Sequence, residues 1–201
     1  MNQLTQQDLL SHADYERERD SFRQRIIALK RRRRIEVGGK ISLVFENRDT
    51  LQFQIQEMVR AERIFDPAKI QDELDVYNAL LPGAGELSAT LFIEITDQDR
   101  IKPYLDSLQG IDRGETVALI VGSRTVWGLF EGGHSKEEKL SAVHFVRFRP
   151  SRAWLDALPA RGNQATVSIR HPACQASEAV SEALCQEWMA DLDLIPDPAG
   201  S

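Results

Sequence analysis

Ile35-Glu36-Val37-Gly38-Gly39-Lys40-Ile41-Ser42-Leu43-Val44-Phe45 places two short runs of apolar, β-branched residues on either side of a glycine pair. Adjacent glycines supply the positive φ angles that a tight two-residue turn demands, so this stretch reads as a β-hairpin. On both sides the periodicity becomes helical. Upstream, Leu9, Leu10, Phe22, Ile26 and Leu29 recur at roughly helical spacing between Leu4 and Lys30, with Thr5 as a cap. A break near Ser11-His12-Ala13-Asp14 divides that segment into two helices. Downstream, Arg48 to Ile64 reads as a helix. Asp66-Pro67 closes it and starts another through Ile70, Leu74, Tyr77 and Leu80, stopped at Pro82-Gly83.

The rest of the chain repeats this mixture. Leu87 to Ile95 predicts a strand with Leu87, Ala89, Leu91, Ile93 and Ile95 on one face. Asp97 caps a helix reaching Leu108, and Thr116 to Val121 and Thr125 to Phe130 flank Gly122-Ser123 as a second hairpin. Ser141 to Arg149 and Thr166 to Ile169 read as strands, Arg152 to Leu158 and Glu178 to Leu192 as helices. Hairpins interleaved with helices predict an α+β fold: a mainly antiparallel sheet built from hairpins, with helices packed on it and an N-terminal helical segment. No internal repeat and no linker rich in Pro, Gly or Ser divides the chain. Residues 1–195 are therefore expected to form a single α+β domain and residues 196–201 a frayed tail.

A chain of 201 residues, 42% hydrophobic and 28% charged, buries a core without disulfides. No apolar run approaches the roughly 20 residues of a membrane span, and the opening residues lack the basic and apolar regions of a secretion signal, so a cytoplasmic location is expected. Cys174 and Cys185 are too few for a cysteine-rich zinc or iron–sulfur site within the chain. The formal charge is −6, yet Lys30-Arg31-Arg32-Arg33-Arg34 concentrates positive charge. Such a run either binds phosphates or complements the dipole at a helix C-terminus, and the absence of interleaved aromatics argues against nucleic acid. No Gly-x-Ser-x-Gly elbow, His-Glu-x-x-His, phosphate-binding Gly-x-x-x-x-Gly-Lys or dinucleotide-binding Gly-x-Gly-x-x-Gly is present.

Candidate chemistry comes from polar residues in apolar places. On a continuous helix from Arg48 to Ile64, Leu51, Ile55, Met58, Val59 and Phe65 share a sector and Phe53 and Ile64 lie nearly opposite. Glu62 then falls inside the main apolar stripe and Glu57 inside the second. A buried carboxylate must be paired, protonated or metal-bound. Either Glu62 pairs with Arg48 or another arginine and Glu57 is a partly exposed helix residue, or the two point into a pocket as acid/base groups or oxygen ligands. His144 shares a strand face with Ala142, Val146 and Phe148, while Glu46 and Glu94 sit beside Val44 and Phe92. If they converge, Glu46, Glu57, Glu62, Glu94 and His144 would suit non-haem iron or manganese. Arg48, Arg60 and Arg63 join the basic run as anion-binding candidates.

Several stretches, among them Phe45-Glu46-Asn47-Arg48-Asp49-Thr50, Phe53-Gln54-Ile55-Gln56-Glu57-Met58, Arg60-Ala61-Glu62-Arg63-Ile64 and Ser141-Ala142-Val143-His144-Phe145, together resemble a bacterial domain-of-unknown-function family, number thirty-five-oh-one. The resemblance runs from about Leu4 to Leu192. It implies genes encoded beside a rubrerythrin-like diiron protein and an iron–sulfur oxidoreductase related to heterodisulfide reductases. It therefore implies an accessory role in a cytoplasmic redox or peroxide-defence system, with those two proteins as partners. The alternatives are a nucleic-acid or phosphate-binding module and a structural partner subunit without its own ligand. Whether the chain is an enzyme stays open at this level.

Overall fold

The Gly38-Gly39 hairpin is one edge of a curled sheet. The computed structural model describes residues 2–95, 97–131, 140–158 and 162–194. A 3-10 turn (Gln6–Asp8) leads into α1 (His12–Arg32), the hairpin β1 (Arg34–Val37) and β2 (Ile41–Glu46), then α2 (Arg48–Ala61) and α3 (Pro67–Asn78). After β3 (Leu87–Ile93) and α4 (Gln98–Ser107) comes a second hairpin of β4 (Val117–Val121) and β5 (Arg124–Phe130). The chain continues through β6 (Val143–Phe148), α5 (Arg152–Ala157), a third hairpin of β7 (Ala165–His171) and β8 (Cys174–Ala179), and α6 (Glu182–Asp191).

The eight strands form one sheet in the order β1-β2-β3-β6-β5-β4-β7-β8, every neighbouring pair antiparallel. The fold is thus α+β, as expected, but the sheet also curls until its first hairpin meets its last strand. A Cβ placed on Gly38 would stand 3.1 Å from Ala176 Cβ and 3.3 Å from Cys174 Sγ. Gly38 also has a φ of 68°, so both the turn and the close approach require glycine there.

Curling gives the sheet an inside and an outside. Ile35, Val37, Leu43, Phe45, Leu91 and Leu119 fill the inside, closed by Trp154 of α5 and by Leu184 and Trp188 of α6. A smaller core lies outside, where Leu51, Ile55 and Val59 of α2 and Leu74 of α3 gather with Leu4, and Phe145 packs against them. Every residue of β2 is consequently buried, which accounts for the unbroken apolar run Leu43-Val44-Phe45. Asn47 and Thr50 start α2 with a reciprocal capping box, and Asp66 caps α3 ahead of Pro67. Among the described residues no helix is long and apolar enough to cross a membrane.

Three expectations need correction. The helix predicted to reach Ile64 ends at Ala61, because Arg63 adopts a φ of 53° and turns the chain. Arg63 N donates to Arg60 O at 3.2 Å and Ile64 N to Val59 O at 2.9 Å, the paired bonds that close a helix, with Ile64 and Val59 in the same apolar cluster. Helical phasing therefore fails beyond Ala61, and Glu62 is exposed rather than set in an apolar stripe. The strand predicted to Ile95 stops at Ile93. Glu178, placed at the start of the last helix, belongs instead to β8, an edge strand of mostly polar, exposed residues held to β7 from His171↔Cys174 to Thr166↔Ala179. Main-chain pairing rather than side-chain propensity makes that strand. Residues 196–201 and His134 lie outside the described residues.

Candidate functional site

The five residues expected to share a pocket occupy separate environments. Strand alternation puts Glu46 on the outer face of β2 and His144 on the inner face of β6, opposite Leu91. Glu46 is buried. Its Oε1 accepts from Thr90 Oγ1 at 2.7 Å, and its Oε2 has no hydrogen-bond partner among the described residues. Its charge reaches Tyr77 of α3, whose hydroxyl is pushed up by burial first and then by the carboxylates of Glu73, Glu62 and Glu46. His144 Nε2 lies 2.7 Å from the Ser141 carbonyl, which only accepts, so that nitrogen carries a proton. Its Nδ1 stands 3.9 Å from Asp112 Oδ2, and the Phe130 ring meets the imidazole edge-on.

Glu57 joins α2 to α1. Its Oε1 accepts from Tyr15 Oη at 2.6 Å and Arg19 Nε at 2.8 Å, and its Oε2 from Arg19 Nη2 at 2.8 Å. The Arg19 hydrogen bonds outweigh the opposing effect of burial and hold the carboxyl down at about 2, against an ordinary 4.5. A carboxyl lowered on folding stabilises the native state above its unfolded value and loses that contribution as pH falls towards the folded value. Glu57 is 28% exposed, so solvent screening reduces the effect. Urea denaturation at stepped pH is therefore expected to show wild type losing about 1–2 kcal/mol more than Glu57→Gln between about pH 5 and pH 2. Parallel losses in the two proteins would show that the ion pair contributes nothing.

Glu94, half-exposed beyond the end of β3, accepts from Arg34 Nη2 and, at 2.9 Å, from Ser42 Oγ. With Glu62 exposed, the five do not gather. Among the described residues, no group of three or more His, Cys, Asp or Glu side chains is arranged to hold a metal ion. Most of the anion-binding candidates are also committed. Arg48 pairs with Asp8 at 2.6 Å and Arg60 with Glu16 at 2.5 Å, while Arg63 is exposed at the α2–α3 corner.

The basic run divides between several environments. Its first three residues form the last turn of α1, where they complement the helix dipole. Arg32 pairs with Glu187 at 2.8 Å. Arg33 is fully buried, donating to the Phe45 carbonyl at 2.7 Å, to Glu187 at 2.9 Å and to Asp191. Burial pushes the Asp191 carboxyl up against the opposing pull of Arg33. Lys30 and Arg31 form no ion pair among the described residues, and they stand beside an apolar groove.

That groove lies on the outer face of β1–β3, at the part that α2 and α3 leave uncovered. It encloses about 290 Å³ between Ile26 and Ile27 of α1, Val44 of β2, Phe53 of α2 and Phe92 of β3, rimmed by Lys30, Arg31 and Arg34. Phe53 is held in place by stacking on Phe22 at 5.8 Å. Beyond the rim the apolar surface continues through Ile27 and Val143, each 37% exposed, with Val143 paired to Phe92 across the sheet. The sequence signal for this site was Phe53, which fell off the main stripe of α2, together with Phe92 on the strand face opposite Leu91.

A curled eight-stranded antiparallel sheet, helices over part of its outer face and a basic-rimmed apolar groove in the remainder define an α+β protein. The chain belongs to the family described as "Protein of unknown function (DUF3501)", whose model matches residues 3–192. It is similar to a protein from Burkholderia pseudomallei K96243, described as a novel protein of unknown function and solved as a crystal structure at 1.90 Å. Sequence identity is 33%, the match covers 96% of this chain and 100% of that one, and the TM-score is 0.87. No curated protein matches the chain.

Proposed function

We propose that this protein is a cytoplasmic accessory protein of a redox or peroxide-defence system, and that its groove docks an apolar side chain flanked by carboxylates on a partner protein. The observation that carries the reading is the juxtaposition of Ile26, Ile27, Phe53 and Phe92 with Lys30 and Arg31, which form no ion pair among the described residues. At about 290 Å³ the groove is at the lower edge of small-molecule pockets, which run from ~300 to ~1,000 Å³, and it opens to solvent along one side. It suits one anchoring side chain from a protein surface, with the cations selecting an acidic surround. Commitment of Arg32, Arg33 and Arg34 to carboxylates weakens the nucleic-acid alternative, because few cations remain to track a phosphate backbone.

The family resemblance directs the choice of partner to the iron–sulfur oxidoreductase and the rubrerythrin-like protein. In this reading the electrons stay with the partners' centres, and the chain supplies the surface that brings them together. The test is binding of each purified, anaerobically handled partner to the full chain. One of the two is expected to bind with an affinity that weakens with salt and falls at least about tenfold in Phe92→Asp and in the double variant Lys30→Glu/Arg31→Glu. Binding of neither partner, or binding indifferent to both groove variants, would end the proposal.

A further inference from the structure

The most exposed large apolar side chain among the described residues is Phe65, 68% accessible, and it sits in the loop between α2 and α3. This aromatic is not loosely presented. The paired bonds from Arg63 and Ile64 fix the chain on one side, Asp66 caps α3 on the other, and the ring stacks on His12 at 4.2 Å. His12 Nε2 in turn lies 2.8 Å from the Ile64 carbonyl. Around Phe65, a cleft of about 410 Å³ is lined by Glu62, Asp66, Asp72 and Glu73 against Arg63 and Lys69, an excess of negative charge. Burial, then the neighbouring carboxylates of Glu62 and Asp72, push the Glu73 carboxyl up.

A rigid aromatic in an acidic surround is the chemistry that the groove selects. Both features border the same helix at opposite ends: His12 opens α1, and Lys30 and Arg31 lie in its last turn. Eighteen residues at 1.5 Å each separate them by about 27 Å. One molecule cannot bring its own Phe65 to its own groove, so the contact joins two copies, either as a two-fold pair that exchanges knob and groove reciprocally or as a head-to-tail chain.

We infer that the occupant of the groove in the isolated protein is Phe65 of a second copy, giving self-association in which the acidic α2–α3 corner of one molecule meets Lys30 and Arg31 of another. This inference rests on the reading of the groove as a docking site, and it adds a consequence: self-docking and partner docking compete. A contact built on one anchor buries less than a standard interface, so association is weak and salt-sensitive.

Sedimentation velocity of the full chain from about 5 to about 500 µM, in about 50 mM and about 500 mM NaCl, tests it. The mean mass is expected to rise with concentration at low salt, to that of a dimer for a reciprocal pair or beyond it for a head-to-tail chain, and to return towards monomer at high salt. Phe65→Ser and Lys30→Glu/Arg31→Glu, both at accessible positions and checked for folding by circular dichroism, are each expected to remain monomeric. Their equimolar mixture is expected to form a dimer and nothing larger, since one supplies the only intact groove and the other the only intact knob. A wild type that stays monomeric throughout, either variant still assembling alone, or a mixture that stays monomeric would each overturn the inference. A monomeric wild type whose groove variant still loses the partner protein would leave the proposed function standing and remove self-docking alone.

Discussion

Arg33→Ala is expected to destabilise the protein by about 3–5 kcal/mol, measured as the shift in urea denaturation at neutral pH. The guanidinium is completely enclosed and serves three elements at once: the end of α1, the Phe45 and Glu46 carbonyls at the end of β2, and Glu187 and Asp191 of α6. Alanine leaves Asp191 buried with its charge uncompensated and the Phe45 carbonyl without its side-chain donor. The size of the loss comes from these abandoned partners rather than from the strength of the bridge itself. Asp191 also sets the pH dependence. A buried carboxyl whose proton affinity is raised on folding opposes the native state when ionised and ceases to do so when protonated. The gap between wild type and Arg33→Ala should therefore be widest near neutrality and narrow as the pH falls. A loss below about 1 kcal/mol would mean that water replaces the guanidinium without penalty.

Trp188→Ala is expected to cost a similar amount, about 3–5 kcal/mol, and Trp188→Phe much less. The indole is wholly buried where α6 closes the curled sheet, edge-on to Phe45 at 4.7 Å and 6.2 Å from Trp154. Alanine removes most of that volume from a site lined by β-strands, which relax poorly around a void. Phenylalanine keeps the aromatic contact with Phe45 and deletes the indole Nε1, which has no hydrogen-bond acceptor among the described residues. Removing an unsatisfied buried donor offsets part of the lost packing. Calorimetric melting of the two variants separates the contributions. Equal losses would show that the phenyl ring recovers none of the packing that the indole supplies and would overturn this account.

The two predictions draw on different levels of legibility. Trp188 was recognisable as core in advance, because Val180, Leu184, Trp188 and Leu192 repeat along one stripe, and the structure buries all four. Arg33 was not. It sits among five consecutive basic residues, and nothing in its neighbours distinguishes it from Arg32, which remains exposed. Only the arrival of α6, over 150 residues later in the chain, turns one arginine into a buried centre and leaves the next as a surface ion pair.

The candidate site divides in the same way. The polar residues singled out on the strands are indeed unusual: Glu46 and His144 are both buried. Their convergence failed because strand alternation sends them to opposite faces of one sheet, and which strand neighbours which is decided by pairings between β2, β3 and β6 across long loops. Glu57 found its cation on α1, 38 residues upstream, a partner that helix phasing cannot identify.

Local chemistry determined the hairpin at Gly38-Gly39, the capped starts of α2 and α3, the alternation of β3 and the α+β class, since each depends on residues within a turn or two of one another. Tertiary structure alone decided the closure of the sheet against β8, the existence of that polar edge strand, the end of α2 at Ala61 and the open groove above Phe92. Each of these depends on where distant segments meet, and a backbone group or an apolar face is satisfied equally well by any partner that arrives with the right geometry.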